Sequence, residues 1–169
     1  MDKYQERYTK HQERKKNVLV EIMKQRHSDR MFGDTPLPRK LVESLLKVTD
    51  YCPSSCNRKG VYPLAVYDRD SLALLGGLLV GGVGWIHRAP AVVLLFADPL
   101  AYKAPGEVEY MPYLDAGVMV QQLYLVATAM GLSCCYVNPN IRVANKDFFA
   151  QRFGSHIFCG AFAIGYPYE

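Results

Sequence analysis

The sequence predicts an α+β fold, and three observations carry that reading. Residues 91–97, AVVLLFA, form a continuous apolar run between Pro90 and Asp98-Pro99, as expected of a central strand buried on both faces. Residues 115–130 are apolar at nearly every position and too long for a strand, so they predict a helix with a neighbour on more than one side. The other strands and helices do not follow a strict βαβ alternation, which disfavours a doubly wound sheet.

Along the chain, residues 1–16 carry six bases and three acids, a charged tail or helix extension; residues 17–169 make up the domain proper. In residues 17–25, Val18 and Ile22, like Leu19 and Met23, are spaced four apart, which predicts a short amphipathic helix. Gly33, Pro36 and Pro38 keep the next stretch from continuing it. A helix starts near Pro38, with Leu41, Leu45, Leu46 and Val48 on its apolar face, and ends before Pro53. The polar turn PSSCNRKG leads to a strand, VYPLAVYD, in which Pro63 points to a sheet edge or a bulge. Residues 71–79 read as helix, closed by Gly81, Gly82 and Gly84. A loop over 98–111 holds two prolines and two tyrosines. Gly131 caps the 115–130 helix. Residues 133–137 form a strand, 143–152 a short helix, and 157–165 the last strand.

Composition narrows the function. Half of the 169 residues are apolar and 21% are charged, enough for one well-formed core. The tail carries +3 of the net +4, leaving the body at +1. A body so close to neutral argues against a nucleic-acid-binding domain. No signal-like apolar segment follows the N-terminus. The stretch 71–86 is short and glycine-rich, while 116–141 is interrupted by polar residues and Pro139, so a cytoplasmic protein off the membrane is expected. Five cysteines cannot all pair, and none stands in C-x2-C spacing; reduced, mostly buried thiols and no metal are expected. Dinucleotide, P-loop, H-E-x-x-H and G-x-S-x-G signatures are absent.

Two polar clusters remain. Arg26-His27-Ser28-Asp29-Arg30 places two guanidinium groups, an imidazole and a hydroxyl within five residues, suited to a phosphate, although such a run standing alone is usually a solvated surface turn. Pro53-Ser54-Ser55-Cys56-Asn57 is a turn rich in hydroxyl and amide groups, where local hydrogen bonding alone would suffice.

Their order and spacing change that reading. With Arg26, His27, Ser28, Arg30 and Phe32, then Pro53, Ser54, Ser55 and Asn57, then Ala89-Pro90-Ala91-Val92, then Asp115, Gly117, Gln122, Leu123, Leu125, Ala127, Gly131 and Leu132, and finally Ile164-Gly165-Tyr166-Pro167, the chain resembles the FMN-dependent nitroreductase family as a short, single-domain member. The resemblance runs from about residue 18 to 167. It implies a sandwich with a central mixed sheet flanked by helices, dimerising through the long central helix, with FMN in the subunit interface. It further implies that Arg26, Ser28 and Arg30, with His27 beside them, hold the FMN phosphate. Pro53, Ser54, Ser55 and Asn57 would approach from the other subunit, and backbone N–H groups near Tyr136 and Val137 would face the flavin edge.

By the same resemblance, NADH or NADPH would reduce the flavin by hydride transfer, and a nitroaromatic, quinone or similar small acceptor would take the electrons in a ping-pong cycle with no catalytic protein nucleophile. Reductive dehalogenation, flavin–oxygen chemistry, or a binding or regulatory role on a degenerate site are the alternatives. Arg58-Lys59-Gly60 departs from the family's usual Gln-Pro-Trp. No basic segment follows Pro167, so the phosphate grip is expected to fall on Arg26 and Arg30, with Asp29 turned to solvent. By the resemblance, His87, Arg88 or the Gly81–Gly84 backbone would help bind the flavin pyrimidine, and Arg88 or Lys59 would set a positive charge near N1–O2. Tyr102, Tyr110 and Tyr113 are either an acceptor-pocket wall or ordinary packing.

Overall fold

The computed structural model describes residues 3–168. Four strands, β1 (Val61–Val66), β2 (Ala91–Ala97), β3 (Ser133–Val137) and β4 (Ile157–Gly165), form one sheet in the order β1-β2-β4-β3. The mixed sheet expected from the sequence is corrected: each neighbouring pair is antiparallel. β4 inserts between β2 and β3, so the two strands that share a direction never pair. β1 lies at the edge, where Pro63 removes no central hydrogen bond.

β2 is buried along its whole length. Its side chains alternate between two cores, as the twofold period of a strand demands. Ala91, Val93, Leu95 and Ala97 face one with Leu45, Met119 and Leu123. Val92, Leu94 and Phe96 face the other with Leu72, Leu75, Ile86 and Phe149. The register between β2 and β4 shifts after Leu95. There Gly160 takes φ +118, and a Cβ on it would run into the Tyr136 ring at 2.5 Å, so only glycine lets that ring lie across β4.

Helices cover both faces: α1 (Lys3–Gln25), α2 (Arg39–Leu46), α3 (Arg69–Leu78), α4 (Met111–Ala129) and α5 (Lys146–Phe153). α1 crosses residue 17 without a break and buries none of its residues in the single chain; Val18, Leu19 and Met23 stay exposed. α4 begins a turn before the expected residue 115, because Pro112 falls in the first turn, where its missing N–H breaks no bond. Gly131, at φ +71, ends it. The helix expected over 143–152 divides into a 3-10 turn, Val143–Asn145, followed by α5. Among the described residues no helix is long and apolar enough to cross a membrane.

Candidate functional site

Past α1 the chain runs along the free edge of β3, and the Asp29 N–H donates to the Cys134 carbonyl (2.9 Å). Alternate residues then face opposite ways. On one face the Arg26 guanidinium lies over the Tyr124 ring, 5.3 Å from its centroid, and Arg30 lies over Trp85 at 5.8 Å. Between them Ser28 Oγ sits 2.9 Å from the Tyr124 hydroxyl, which also accepts the Tyr136 N–H at 2.7 Å. One tyrosine of α4 therefore ties the segment to β3. Burial raises its hydroxyl pKa, against the hydrogen bonds from Ser28 and Tyr136.

The opposite face holds His27 and Asp29. His27 Nδ1 meets the Gln25 carbonyl at 2.7 Å, and Nε2 lies 3.1 Å from Asp29 Oδ2. Ser133 Oγ donates to that same oxygen at 2.6 Å. Asp29 was expected in solvent. Instead the strand hydroxyl and the imidazole hold its half-buried carboxylate on the face away from Arg26, Ser28 and Arg30. Among the described residues neither Arg26 nor Arg30 has a carboxylate partner. Beneath this segment burial pushes the Cys134 thiol up to about 12, with the Asp29 charge adding to the effect.

The second cluster is built by its own backbone. Cys56, Asn57 and Lys59 take φ of +48, +54 and +53, a left-handed region that non-glycine residues enter at a penalty of roughly 1–2 kcal/mol. Ser54 Oγ accepts the Lys59 N–H (2.9 Å), and the Asn57 N–H donates to the Ser54 carbonyl (2.9 Å). The Lys59 ammonium donates to the carbonyls of Asp50 and Cys52 and so closes the turn. The turn hangs on α4 through the Ser55 N–H, which donates to Asp115 Oδ1 at 2.9 Å. The other Asp115 oxygen accepts the Tyr102 hydroxyl at 3.1 Å. Tyr102 is thus a buried strut, while Tyr110 and Tyr113 are exposed. Pro53 and the Asn57 side chain face outward.

Both clusters grip α4, at Tyr124 and at Asp115, nine positions apart, which is about 13 Å at ~1.5 Å per residue. No hydrogen bond or ion pair joins them among the described residues. Val137 is buried in the core, and the Tyr136 hydroxyl donates to the Cys159 carbonyl (2.7 Å). The sequence reading missed Tyr124, Trp85 and the anchoring role of Asp115. The signals were present: a tyrosine hydroxyl and a lone carboxylate on an apolar helix both need partners once buried.

Comparison with known proteins agrees with this architecture. The profile described as "Nitroreductase family" matches residues 23–76 and 78–166. An FMN reductase [NAD(P)H] of Bacillus subtilis is 27% identical over 82 residues, 48% of this chain and 32% of its own length; the chain thus spans about a third of that relative. A protein of Archaeoglobus fulgidus named as an NADH dehydrogenase/NAD(P)H nitroreductase is 22% identical over 84% of this chain and 81% of its own. A solved nitroreductase in complex with FMN from Desulfovibrio desulfuricans superposes with a TM-score of 0.76 at 24% identity, covering 89% of this chain and 87% of its own. The chain belongs to the nitroreductase family.

Proposed function

We propose that this nitroreductase-family chain is one half of an FMN-dependent NAD(P)H oxidoreductase that reduces small acceptors such as nitroaromatics or quinones. The observation that carries the reading is the sorting of residues 26–30: two unpaired guanidinium groups and a hydroxyl on one face, with the only carboxylate held on the other by Ser133 and His27. That donor set fits a phosphate monoester. The FMN named for the Bacillus and Desulfovibrio relatives supports the same group, and the NAD(P)H in the relatives' names supports the donor.

FMN, when bound, would supply the two-electron relay between a reduced nicotinamide and the acceptor. The chain's own residues do the rest. Arg26 and Arg30 neutralise the phosphate, and Ser28, oriented by Tyr124, donates a hydroxyl. Asp29 stays clear of the anion. The Tyr136 N–H is already engaged by Tyr124, so on this edge of β3 the next outward-facing N–H is that of Asn138, two residues on. Ser54, Ser55 and Asn57 act on the site of a second copy, which explains why one chain keeps the two clusters apart on α4. The second copy would cover the apolar stripe that α4 leaves exposed at Leu114 and Val118.

Two measurements test this. Arg26→Ala should weaken FMN about ten- to a hundredfold, since a charge-assisted hydrogen bond is worth roughly 1.5–3 kcal/mol and each ~1.4 kcal/mol is a factor of ten. Riboflavin, which has no phosphate, should bind both forms equally weakly. Mixed dimers of Asn57→Ala and Arg26→Ala chains should regain one intact site and half the flavin. Unchanged FMN affinity in both Arg26→Ala and Arg30→Ala, or colourless protein that takes up no FMN, would leave a binding or regulatory role on the same fold.

A further inference from the structure

A second group of basic residues, other than Arg26 and Arg30, lines a cleft whose wall begins at Met31. This cleft of about 580 Å³ opens between the start of α2, the start of α3 and the turn that precedes β2. Arg39, Arg69, His87 and Arg88 line it, and Asp34 is the one acid among its lining residues. The four basic residues come from three separate stretches of chain, so the fold, not a local charge run, gathers them.

Among the described residues no carboxylate pairs with any of them. Arg58 pairs with Glu107, and Arg152 donates to Ser71 beside Asp68. Among the described residues, by contrast, the side chains of Arg69, His87 and Arg88 make no hydrogen bond or ion pair, and Arg39 lies on the Tyr67 ring, 4.9 Å from its centroid. α2 starts beside Arg39 with no side chain capping it. Three guanidinium groups around one concavity repel one another and focus a positive potential, an arrangement that an anion relieves. The walls add apolar and aromatic surface from Tyr67, Pro90 and Tyr168.

We propose that this cleft binds a phosphate-bearing nucleotide, with Arg69 and Arg88 on the phosphates and the aromatic wall against the base. The volume lies in the range of small-molecule sites. Forked guanidinium donors suit phosphate oxygens. A body near neutral outside residues 1–16 and a single cleft in place of a basic stripe favour a single nucleotide over a nucleic-acid strand. None of the residues invoked belongs to the Arg26, Ser28, Arg30 face, and Arg69 takes no part in the FMN reading, so it carries the separation of the two sites.

The test is calorimetric titration of the full chain, saturated with FMN, using ADP and inorganic pyrophosphate as probes. ADP should bind one per chain and more tightly than pyrophosphate. Arg69→Ala combined with Arg88→Ala should weaken ADP about a hundredfold, roughly tenfold for each arginine, and Arg69→Ala alone should weaken it about tenfold while flavin content stays unchanged. Arg26→Ala should leave ADP affinity intact, which separates this site from the flavin phosphate site whether or not FMN binds. Both arginines are exposed, and Arg69→Gln with Arg88→Gln repeats the measurement with less change in bulk. ADP affinity unchanged in both double variants overturns the proposal. So does an equal loss in Arg142→Ala, a charge removed elsewhere, or pyrophosphate binding as tightly as ADP.

Discussion

Residues 26–30 are held by the side chains of the core, whereas residues 53–59 are held by their own strained backbone. In the first, Tyr124 takes one hydroxyl and one backbone N–H, Ser133 takes Asp29, and no residue from 26 to 30 has a positive φ. In the second, three of four consecutive residues, Cys56, Asn57 and Lys59, sit at positive φ, and one carboxylate, Asp115, ties the turn to α4. A segment anchored at several points through buried groups moves only when the fold opens. A strained turn held through Asp115 and the Arg58–Glu107 pair at its rim opens more locally. The difference suits the roles assigned: a fixed grip on an anion within the chain, and an adjustable arm that reaches a second copy.

The largest expected effect is on thiol reactivity. Cys56 is exposed in the turn, while Cys134 lies buried under Asp29 with its pKa pushed up to about 12. At pH 8 the Cys134 thiol is almost wholly protonated, so it resists modification by chemistry as well as by burial. Cys56 should label at once. Cys134 should label only through global unfolding, a protection on the order of 5–15 kcal/mol. Comparable labelling rates, read by mass spectrometry, would break the comparison.

Next is Asp115→Ala. It leaves the Ser55 N–H and the buried Tyr102 hydroxyl without their acceptor. Hydrogen bonds to a charged group contribute roughly 1.5–3 kcal/mol each, so for the two a loss of about 3–6 kcal/mol is expected in denaturant unfolding. Protease cleavage should rise within 53–59 and not within 26–30.

Tyr124→Phe should act the other way round. The ring stays under Arg26, but the Tyr136 N–H loses its acceptor and Ser28 its partner. A loss of about 1–3 kcal/mol is expected, with faster hydrogen exchange at Tyr136 and weaker FMN retention. The turn at 53–59 should be untouched. Together the two variants test whether α4 carries two independent anchors, for which additive losses are expected at this separation.

Much of this was legible beforehand, and unevenly so. The bounds of β2, β3 and β4 follow from their apolar runs, because a strand covered on both faces has no polar side to blur its ends. The sheet's direction was not legible: strand order depends on where β4 inserts, which no local pattern encodes. The first cluster could be read as residue types but not as faces. Asp29 looked like solvent because its partner, Ser133, lies 104 residues away. Lys59 looked like a cation available to a flavin because nothing local announces that its ammonium closes the turn on Asp50 and Cys52. Asp115 stood in the motif without a role, since its partners at Ser55 and Tyr102 become neighbours only after folding.

The smallest expected effect isolates the strain itself. Cys56 holds φ +48, ψ +26, which places its Cβ against the following carbonyl, at a penalty of roughly 1–2 kcal/mol that glycine does not carry. Glycine in turn loses more backbone entropy on folding, about 0.4–1 kcal/mol, which offsets part of the gain. The side chain forfeits little: its sulfur accepts one exposed hydrogen bond from Arg58 at 3.5 Å. Cys56→Gly should therefore stabilise the chain by about 0.5–1 kcal/mol, read as a higher denaturant midpoint at unchanged slope. Asn57→Gly should gain less, because asparagine already tolerates this region. An alanine at Gly131, which holds φ +71 at the end of α4, should destabilise by a similar amount, since the same penalty is there introduced and not removed. If Cys56→Gly destabilises instead, the turn is held by contacts of the cysteine side chain and not by strain, and the contrast between the two halves of the site loses its physical basis.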